Sequence, residues 1–301
     1  MSIVIKELFK NVICADIGGS HITTGIVSLT TGLSYDSIFR KAVDTNEPAD
    51  RVISEIANAL NYQLTSKDYQ KAKSQIPIGI SMPGPFDYEN GISLIKGQSK
   101  FENLYNVNIK KELASQLQIN SSQIRFENDA ACFLLGEVLY GSDSPNHKTL
   151  GLTLGTGLGS CEYHNGNVRD LNKWDTPFDE SIAENYLVTR WFTREYNRIT
   201  GQDIRGVKEI IENSDNELTT LLFNKYADNL SRFISLICTN NEYENVILGG
   251  NISKAFDLFG IRLKDNLINS GLKIKVNPAK LGENSALIGA ACLWNENFYK
   301  K

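Results

Sequence analysis

The chain has 301 residues, of which 41% are hydrophobic and 22% are charged, and its formal net charge is −4. A chain of this length usually forms about two domains, each with a core of its own. The mildly acidic sequence has no lysine- or arginine-rich block and no apolar run of ~20 residues, which argues against nucleic-acid and membrane partners.

Strand and helix patterns alternate along the first half of the chain, which favours an α/β fold over an all-α or all-β fold. A hairpin is predicted because the apolar run 12–15 and the alternating segment 22–29 flank a glycine turn. A helix is predicted over residues 50–64, since their apolar side chains recur at helical spacing. The other elements predicted in this half are strands at 37–43, 76–81 and 124–127 and helices at 109–117 and 130–139.

The first glycine turn reads Asp16-Ile17-Gly18-Gly19-Ser20-His21. Glycines adopt positive φ readily and let backbone amides approach phosphate oxygens, so that successive amides form an anion-binding concavity. Asp16 can then hold Mg²⁺ or one of its waters, because Mg²⁺ favours one or two carboxylates together with substrate phosphates. An ordinary tight hairpin is the alternative interpretation, in which His21 is a half-buried structural residue.

The triplet Glu127-Asn128-Asp129 stands where a predicted strand ends and a predicted helix begins. Side chains at that edge of a sheet are exposed where α/β proteins usually bind ligands. Asp129 can accept the proton of a substrate hydroxyl that attacks a γ-phosphate, and Asn128 can orient that hydroxyl. Since Asn and Asp are also preferred N-cap residues, helix capping is the competing interpretation.

A second glycine turn, Gly155-Thr156-Gly157-Leu158-Gly159, follows the apolar strand predicted at 150–154. Two such turns, separated by nearly half of the chain, suggest a nucleotide held by two halves and hint at an ancient duplication. The elements predicted after it are helices at 181–196, 218–238 and 284–298 and a strand at 246–248 that ends in Gly249-Gly250-Asn251.

Two other nucleotide-binding folds do not fit the sequence. A P-loop requires Gly-Lys-Ser/Thr between a strand and a helix, and this tripeptide does not occur. A Rossmann fingerprint must open a helix, whereas the β-branched Ile22, Thr23 and Thr24 continue the first turn as a strand.

Five motifs occur in the order in which ROK-family sugar kinases carry them. Because of these motifs, the chain resembles that family. They are Asp16-Ile17-Gly18-Gly19-Ser20, Met82-Pro83-Gly84-Pro85, Glu127-Asn128-Asp129-Ala130-Ala131, Leu154-Gly155-Thr156-Gly157-Leu158-Gly159 and Leu248-Gly249-Gly250-Asn251. The resemblance implies an α/β, two-domain actin-like ATPase (ribonuclease H-like) fold with the ligand cleft between the domains. We expect an N-terminal domain of residues 1–125, completed by a C-terminal helix at 284–301, and a second domain of residues 126–283.

The resemblance also implies a role for each matching residue. Asp129 corresponds to the general base, Asn128 to a ligand of the sugar hydroxyls, and Gly84 to the loop beside the sugar. Asp16, by the chemistry of its carboxylate, is the expected ligand of Mg²⁺, directly or through water. The positions that correspond to nucleotide contacts are Gly18, Gly19, Ser20, Gly155, Thr156 and Gly157 at the phosphates and Gly249 and Gly250 at the adenosine. The expected reaction is therefore ATP- and Mg²⁺-dependent phosphorylation of a hexose, most simply a glucokinase activity, by a homodimer.

The chain departs from the family after the second glycine turn. The family's Glu-x-Gly-His sugar-binding segment and cysteine-rich zinc loop are missing, since Cys161 and His164 are the sole residues of those types between positions 161 and 186. A tetrahedral zinc site cannot be built there, so no structural zinc is expected. Residues that can replace the lost sugar contacts are Trp174, Asp175, Asp179 and Glu180, while Glu184 aligns with an acidic residue that follows the zinc loop. A non-catalytic sugar- or nucleotide-binding relative with a regulatory role remains the alternative.

Further expectations concern other classes of protein and the placement of particular side chains. About ten residues precede the first predicted strand, too few for the DNA-binding domain of a repressor, and the Pro-Gly-Pro loop and the Asn-Asp pair favour a small polyol over the protein partner of a chaperone-like ATPase. The five scattered cysteines predict buried free thiols in a reducing compartment, hence a cytoplasmic protein. A solvated surface is predicted for Lys96, Lys100, Lys110 and Lys111, although the resemblance implies that residues 97–104 correspond to a sugar-side loop of the family. A core or subunit contact is predicted for Trp191, Phe192 and Tyr196.

Overall fold

The computed structural model describes residues 10–65, 69, 73–97, 100–141, 146–239 and 242–295. The chain divides into two compact units. The first unit comprises Met1–Asp143 together with Asn284–Lys301, and the second comprises Ser144–Glu283.

The first unit is built around a five-stranded mixed sheet. Its elements up to residue 136 are β1 (Asn11–Ile17), β2 (His21–Ser28), β3 (Gly32–Ala42), α1 (Ala49–Leu64), β4 (Ile78–Met82), β5 (Phe86–Asp87), β6 (Ile92–Ser93), α2 (Ile109–Leu117), β7 (Ile124–Asn128) and α3 (Asp129–Gly136). A π-helical segment, Glu137–Gly141, continues α3. The sheet order is β3-β2-β1-β4-β7, in which β1, β2 and β3 are antiparallel and β1, β4 and β7 run parallel.

The core of the first unit follows from the periodicity of its apolar residues. On α1, Val52, Ile56 and Leu60 recur at helical spacing and are fully buried. Strand β4, which lies between β1 and β7, is buried along its whole length, as expected for a parallel strand that is covered on both faces. The amphipathic helix and the apolar strands together explain why the predicted hairpin and helix formed close to their predicted positions.

The second unit repeats this sheet order. Its elements are β8 (Thr149–Leu154), β9 (Leu158–His164), β10 (Asn167–Asp170), β11 (Pro177–Phe178), β12 (Ser181–Ile182), α4 (Glu184–Leu187), α5 (Thr189–Thr200), α6 (Val207–Asn213), α7 (Asn216–Cys238), β13 (Asn245–Gly249), α8 (Phe256–Asn269) and β14 (Lys275–Pro278). The order β10-β9-β8-β13-β14 contains an antiparallel meander followed by parallel strands, as in the first unit. The duplication suggested by the two glycine turns is thus reflected in the topology of the two sheets.

Aromatic side chains fill the core of the second unit. Phe192 of α5 packs against Tyr226 of α7 with ring centroids 4.7 Å apart, and Tyr226 packs edge-on against Phe259 of α8. Trp191, Phe192 and Tyr196 are all buried within this unit, which places them in the core.

The last helix of the chain, α9 (Ser285–Cys292), belongs to the first unit. A Cβ at Gly289 of α9 would overlap the carbonyl oxygen of Cys132, and one at Gly136 would overlap the carbonyl oxygen of Ser285. These glycines therefore allow α9 and α3 to pack backbone against backbone. The predicted helix at 284–298 is shorter in the structure, and its last residues, 296–298, lie outside the described residues.

Two sequence expectations differ from the structure. The expected domain boundary at 125/126 lies before α3, whereas residues 126–143 belong to the first unit because β7 pairs with β4 and α3 packs on α9. The helix predicted at 181–196 is not continuous, since β12, α4 and α5 share that range. Val188 is extended between the two helices, and the amide of Thr189 donates a hydrogen bond to the carbonyl of Gly155. Helices α6 and α8 are not among the predicted elements.

Candidate active site

Three parallel strands of the first unit end at one edge of the sheet and bring the predicted polar residues together. Asp16 of β1 pairs with Ser81 of β4, and Met82 pairs with Asn128 of β7. The Ser81 hydroxyl donates a hydrogen bond of 2.7 Å to Asp16 Oδ1. Since Asp129 directly follows Asn128, both predicted carboxylates and the predicted amide lie at this edge, where α/β proteins bind ligands.

The Asp16 carboxyl is partly buried, and its electrostatic surroundings are unusual. The pKa of Asp16 is raised to about 6, mainly by burial; the neighbouring Asp129 charge adds to the rise, while the hydrogen bond from Ser81 and the positive charge of Arg40 oppose it. Two carboxylates are thus close enough to repel each other. A bound divalent cation would relieve this repulsion, and a single carboxylate beside substrate phosphates suits Mg²⁺. The donor set at Asp16 therefore fits the predicted ion.

Asn128 is the N-cap of α3. Its Oδ1 accepts hydrogen bonds from the amides of Ala130 at 2.9 Å and Ala131 at 3.2 Å, and its Nδ2 donates to the hydroxyl of Tyr88 at 3.2 Å. The capping interpretation is therefore confirmed. It does not exclude a binding role, because the side-chain amide carries two N–H donors and the Tyr88 contact uses one of them.

Asp129 is the first residue of α3. Solvent reaches its side chain, yet desolvation by the surrounding protein raises the pKa of Asp129. A hydrogen bond from the Ala130 amide and the charge of Lys100 oppose this rise. Its Oδ1 accepts that amide hydrogen bond at 2.9 Å. A carboxylate with a raised pKa that is open to solvent has the properties required of a general base.

Gly84 lies beside Asn128. A Cβ at Gly84 would come within 2.9 Å of the Tyr88 hydroxyl and within 3.8 Å of Asn128 Nδ2. The Tyr88 hydroxyl also donates to the carbonyl oxygen of Met82 at 3.1 Å. The sequence analysis missed Tyr88 and Ser81 as parts of this cluster, and the sequence offered little signal for either beyond their nearness to the Pro-Gly-Pro loop.

The first glycine turn closes with a hydrogen bond of 2.9 Å from the Gly18 amide to the His21 carbonyl. The amides of Gly19 and Ser20 make no hydrogen bond to any residue that the structure describes. The Ser20 hydroxyl lies 2.9 Å from Nδ1 of His21, which gives the imidazole a partner within the turn. Two adjacent amides are therefore available to an anion.

The second glycine turn is arranged in the same way. The Gly155 amide donates to the Gly157 carbonyl at 3.2 Å, while the amides of Thr156 and Gly157 are unpaired within the described part of the chain. The expected positive φ is wrong for the glycines of both turns. A Cβ at Gly155 would meet open space, so neither backbone conformation nor packing within the protein explains the glycine there.

Gly249 and Gly250 lie next to the second turn within the same unit. Gly249 ends β13 opposite Thr153 of β8. Gly250 has a φ of 82°, and a Cβ there would overlap the carbonyl oxygen of Leu154. Glycine is thus required at position 250 both by its conformation and by the close approach of β8.

The segment that replaces the family's sugar-binding and zinc loops is largely engaged in contacts of its own. Asp179 forms an ion pair with Arg232 of α7, and this guanidinium lowers the pKa of Asp179. Glu184 accepts a hydrogen bond of 3.0 Å from the Leu158 amide and pairs with Arg190. Trp174, Asp175 and Glu180 are exposed.

Within the described ranges, no group of three or more His, Cys, Asp or Glu side chains could hold a metal ion. The absence of zinc stays a prediction. All five cysteines are buried free thiols. None of the helices in the described ranges combines the length and the apolar character needed to cross a membrane.

Comparisons with known proteins show what this chain is similar to. The model of the ROK family matches residues 12–170 and 180–297. The glucokinase of Thermotoga maritima is 24% identical, over 93% of this chain and 96% of that protein. The N-acetyl-D-glucosamine kinase of Mannheimia succiniciproducens is 25% identical, over 93% and 97%.

A solved structure identifies the fold. The ROK family glucokinase of Streptomyces griseus, solved in complex with glucose and AMPPNP, superposes with a TM-score of 0.74 and 19% identity, over 94% of this chain and 98% of that one. The α/β, two-domain actin-like ATPase fold expected from the sequence is confirmed.

Proposed function

The chain belongs to the ROK family, and on that basis we propose that it catalyses ATP-dependent phosphorylation of a hexose, with glucose as the first candidate. The observation that carries the proposal is the cluster of Asp16, Asn128 and Asp129 at the ends of three parallel strands. Each of the two units also presents a glycine turn with two unpaired amides among the described residues. These are the parts that phosphoryl transfer requires, namely a base, a hydroxyl ligand and phosphate donors.

The proposed step is an in-line displacement at the γ-phosphorus of ATP. The sugar oxygen forms a bond to phosphorus, the bond to the β–γ bridging oxygen breaks, and ADP leaves with that electron pair. Asp129 accepts the hydroxyl proton, which requires its carboxylate form. The second Nδ2 hydrogen of Asn128 donates to the sugar and orients the attacking oxygen, because Oδ1 is occupied by the cap.

The glycine turns are proposed to supply hydrogen-bond donors to the phosphates of the nucleotide. The amides of Gly19 and Ser20, and those of Thr156 and Gly157, are unpaired in the ranges that the structure describes and are suited to phosphate oxygens. Gly249 and Gly250 are proposed to contact the adenosine. The complex of the Streptomyces griseus relative with AMPPNP supports ATP as the donor.

Asp16 is the residue proposed to hold Mg²⁺, directly or through water. The ion, when bound, supplies positive charge to the phosphates. The hydrogen bond from Ser81 fixes the orientation of the Asp16 carboxyl and leaves its second oxygen for this contact.

The proposal also names the hexose that is phosphorylated. The relatives above comprise a glucokinase and an N-acetylglucosamine kinase at nearly equal identity. The segment 168–184, which lacks Glu-x-Gly-His, offers the exposed Trp174, Asp175 and Glu180. We propose glucose, and N-acetylglucosamine is the competing substrate in the test.

The test is a coupled ADP-release assay with Mg-ATP and a panel of hexoses and N-acetylhexosamines. Asp129→Asn removes the base and is expected to lower kcat by about 10²–10⁴-fold while ATP binding is retained. Asp265→Asn, an exposed substitution on α8, is the matched control and should leave turnover unchanged. Near-normal turnover of Asp129→Asn would refute the role of Asp129 as the general base. No turnover of the wild-type protein on any sugar, with ATP still bound, would favour the non-catalytic relative.

Two accompanying proposals concern the state of the protein in the cell. The five buried free thiols suit a reducing compartment such as the cytoplasm. The family resemblance favours a homodimer, which light scattering of the purified protein would test.

A further inference from the structure

Lys100 belongs to a group of lysines for which the sequence predicts a solvated surface, and the structure places it differently. Lys96 is exposed and lies over the ring of Tyr105 at 5.3 Å. The Lys100 side chain is partly buried instead, and its Cδ lies 3.4 Å from the position of a Cβ on Gly19. Lys111 is exposed as predicted, whereas Lys100 and Lys110 are only partly exposed.

The charge of the lysine also acts on the proposed base. It lowers the pKa of Asp129, against the larger rise that desolvation by the surrounding protein causes. The Lys100 side chain thus lies beside the first glycine turn, and its charge acts on Asp129. These two features are the proposed phosphate donor and the proposed proton acceptor.

A phosphoryl group that moves from nucleotide to sugar must pass between these two features. Its oxygens are negative, and they would move close to two carboxylates, Asp16 and Asp129, which already repel each other. A compact ammonium group on a long flexible stem can follow and neutralise such a group.

We propose that Lys100 is a catalytic residue whose ammonium group contacts the oxygens of the transferred γ-phosphoryl group. This inference rests on the proposed kinase function and adds a residue to it. Bond changes in the step are those described above, and Lys100 remains protonated throughout. A lysine that only pairs with Asp129 would have no effect on how the protein distinguishes nucleotides by their γ-phosphate.

The test compares Lys100→Met, which keeps the apolar stem and removes the charge, with Lys100→Arg, which keeps the charge. Lys96→Met is the matched control in the same loop. Measurements are kcat and KM with Mg-ATP and the best sugar, and the dissociation constants of ADP and AMPPNP. Thermal unfolding of each variant checks that the protein is folded.

Lys100→Met is expected to lower kcat about 10²-fold. It should raise the dissociation constant of AMPPNP about tenfold and leave that of ADP within about twofold, as expected for a lost contact to the terminal phosphate. Lys100→Arg should recover most of both losses, and Lys96→Met should match the wild type. An unchanged kcat in Lys100→Met, or an equal loss of affinity for ADP and AMPPNP, would overturn the inference.

The two proposals fail separately in this experiment. If the wild-type protein phosphorylates a sugar and Lys100→Met does so equally well, the kinase function stands and the role of Lys100 is overturned. If the wild-type protein turns over no sugar but prefers AMPPNP to ADP, and Lys100→Met loses that preference, the kinase function fails and the phosphate contact is supported.

Discussion

Asn128 combines a structural contact and a proposed binding contact in one side chain, and two substitutions separate them. Asn128→Ala removes both Oδ1 and Nδ2. Asn128→Ser keeps an oxygen that can cap α3 and removes the Nδ2 donor. The two variants therefore differ in the cap and share the loss of the amide.

The expected effect on stability follows from the cap. Oδ1 accepts from the amides of Ala130 and Ala131, and both residues are buried. Alanine at position 128 leaves the Ala131 amide without this acceptor, while the Ala130 amide keeps its hydrogen bond to Asp129 Oδ1. Loss of such a cap costs about 1–2 kcal/mol. For a unit of this size that corresponds to a Tm lower by about 2–8 °C. Asn128→Ser should lose less than about 0.5 kcal/mol.

The expected effect on activity follows from Nδ2. Both variants should lose about 10- to 100-fold in kcat/KM for the sugar, the value of one hydrogen bond to a bound substrate. The assays are differential scanning calorimetry and the coupled ADP-release assay. Asn108→Ala is the matched control, because Asn108 caps α2 by accepting from the Lys111 amide at 2.9 Å. It should lower the Tm by a few degrees and leave kcat/KM unchanged.

Two results would refute this reasoning in different ways. Full activity in Asn128→Ser would show that Asn128 is a cap without a role in sugar binding. A wild-type Tm in Asn128→Ala would show that the two hydrogen bonds to Oδ1 contribute little to stability.

Three further predictions concern acidity, the nucleotide loop and metal content. The folded pKa of Asp16, about 6, lies above its ordinary value. The stability that protonation of Asp16 contributes is therefore complete below about pH 4 and is lost as the pH rises through 6. Without ligands, Asp16→Asn should be about 1–2 kcal/mol more stable than the wild type at about pH 7.5 but not at about pH 4, and it should be inactive. Gly250→Ala should destabilise the protein by about 2 kcal/mol or more and weaken ATP binding. Gly271→Ala, at a φ of 80° with open space around it, should cost about 1 kcal/mol and leave ATP binding intact. Equal losses of stability in calorimetry would contradict the close approach of position 250 to Leu154. Elemental analysis should find far less than one zinc per chain, and a stoichiometric zinc would refute the prediction.

Local sequence patterns predicted much of the fold. The hairpin of β1 and β2, helix α1 and helix α2 form near their predicted bounds because their apolar periodicity matches the geometry of each element. The failure at 181–196 has a tertiary cause, since contacts to the second glycine turn break the helix at Val188. Helix α8 was missed although its buried residues recur at helical spacing.

The sequence by itself determined the motifs, their order and the residue types that the chemistry needs, because Asp129, Asn128 and the glycine turns are properties of short segments. Tertiary structure alone decided which distant residues join them. Ser81 reaches the cluster through strand register, Tyr88 through its hydrogen bonds with Asn128 and Met82, and Lys100 through the approach of its side chain to Gly19. Register and loop paths depend on the packing of many residues at once, so no local pattern contains them.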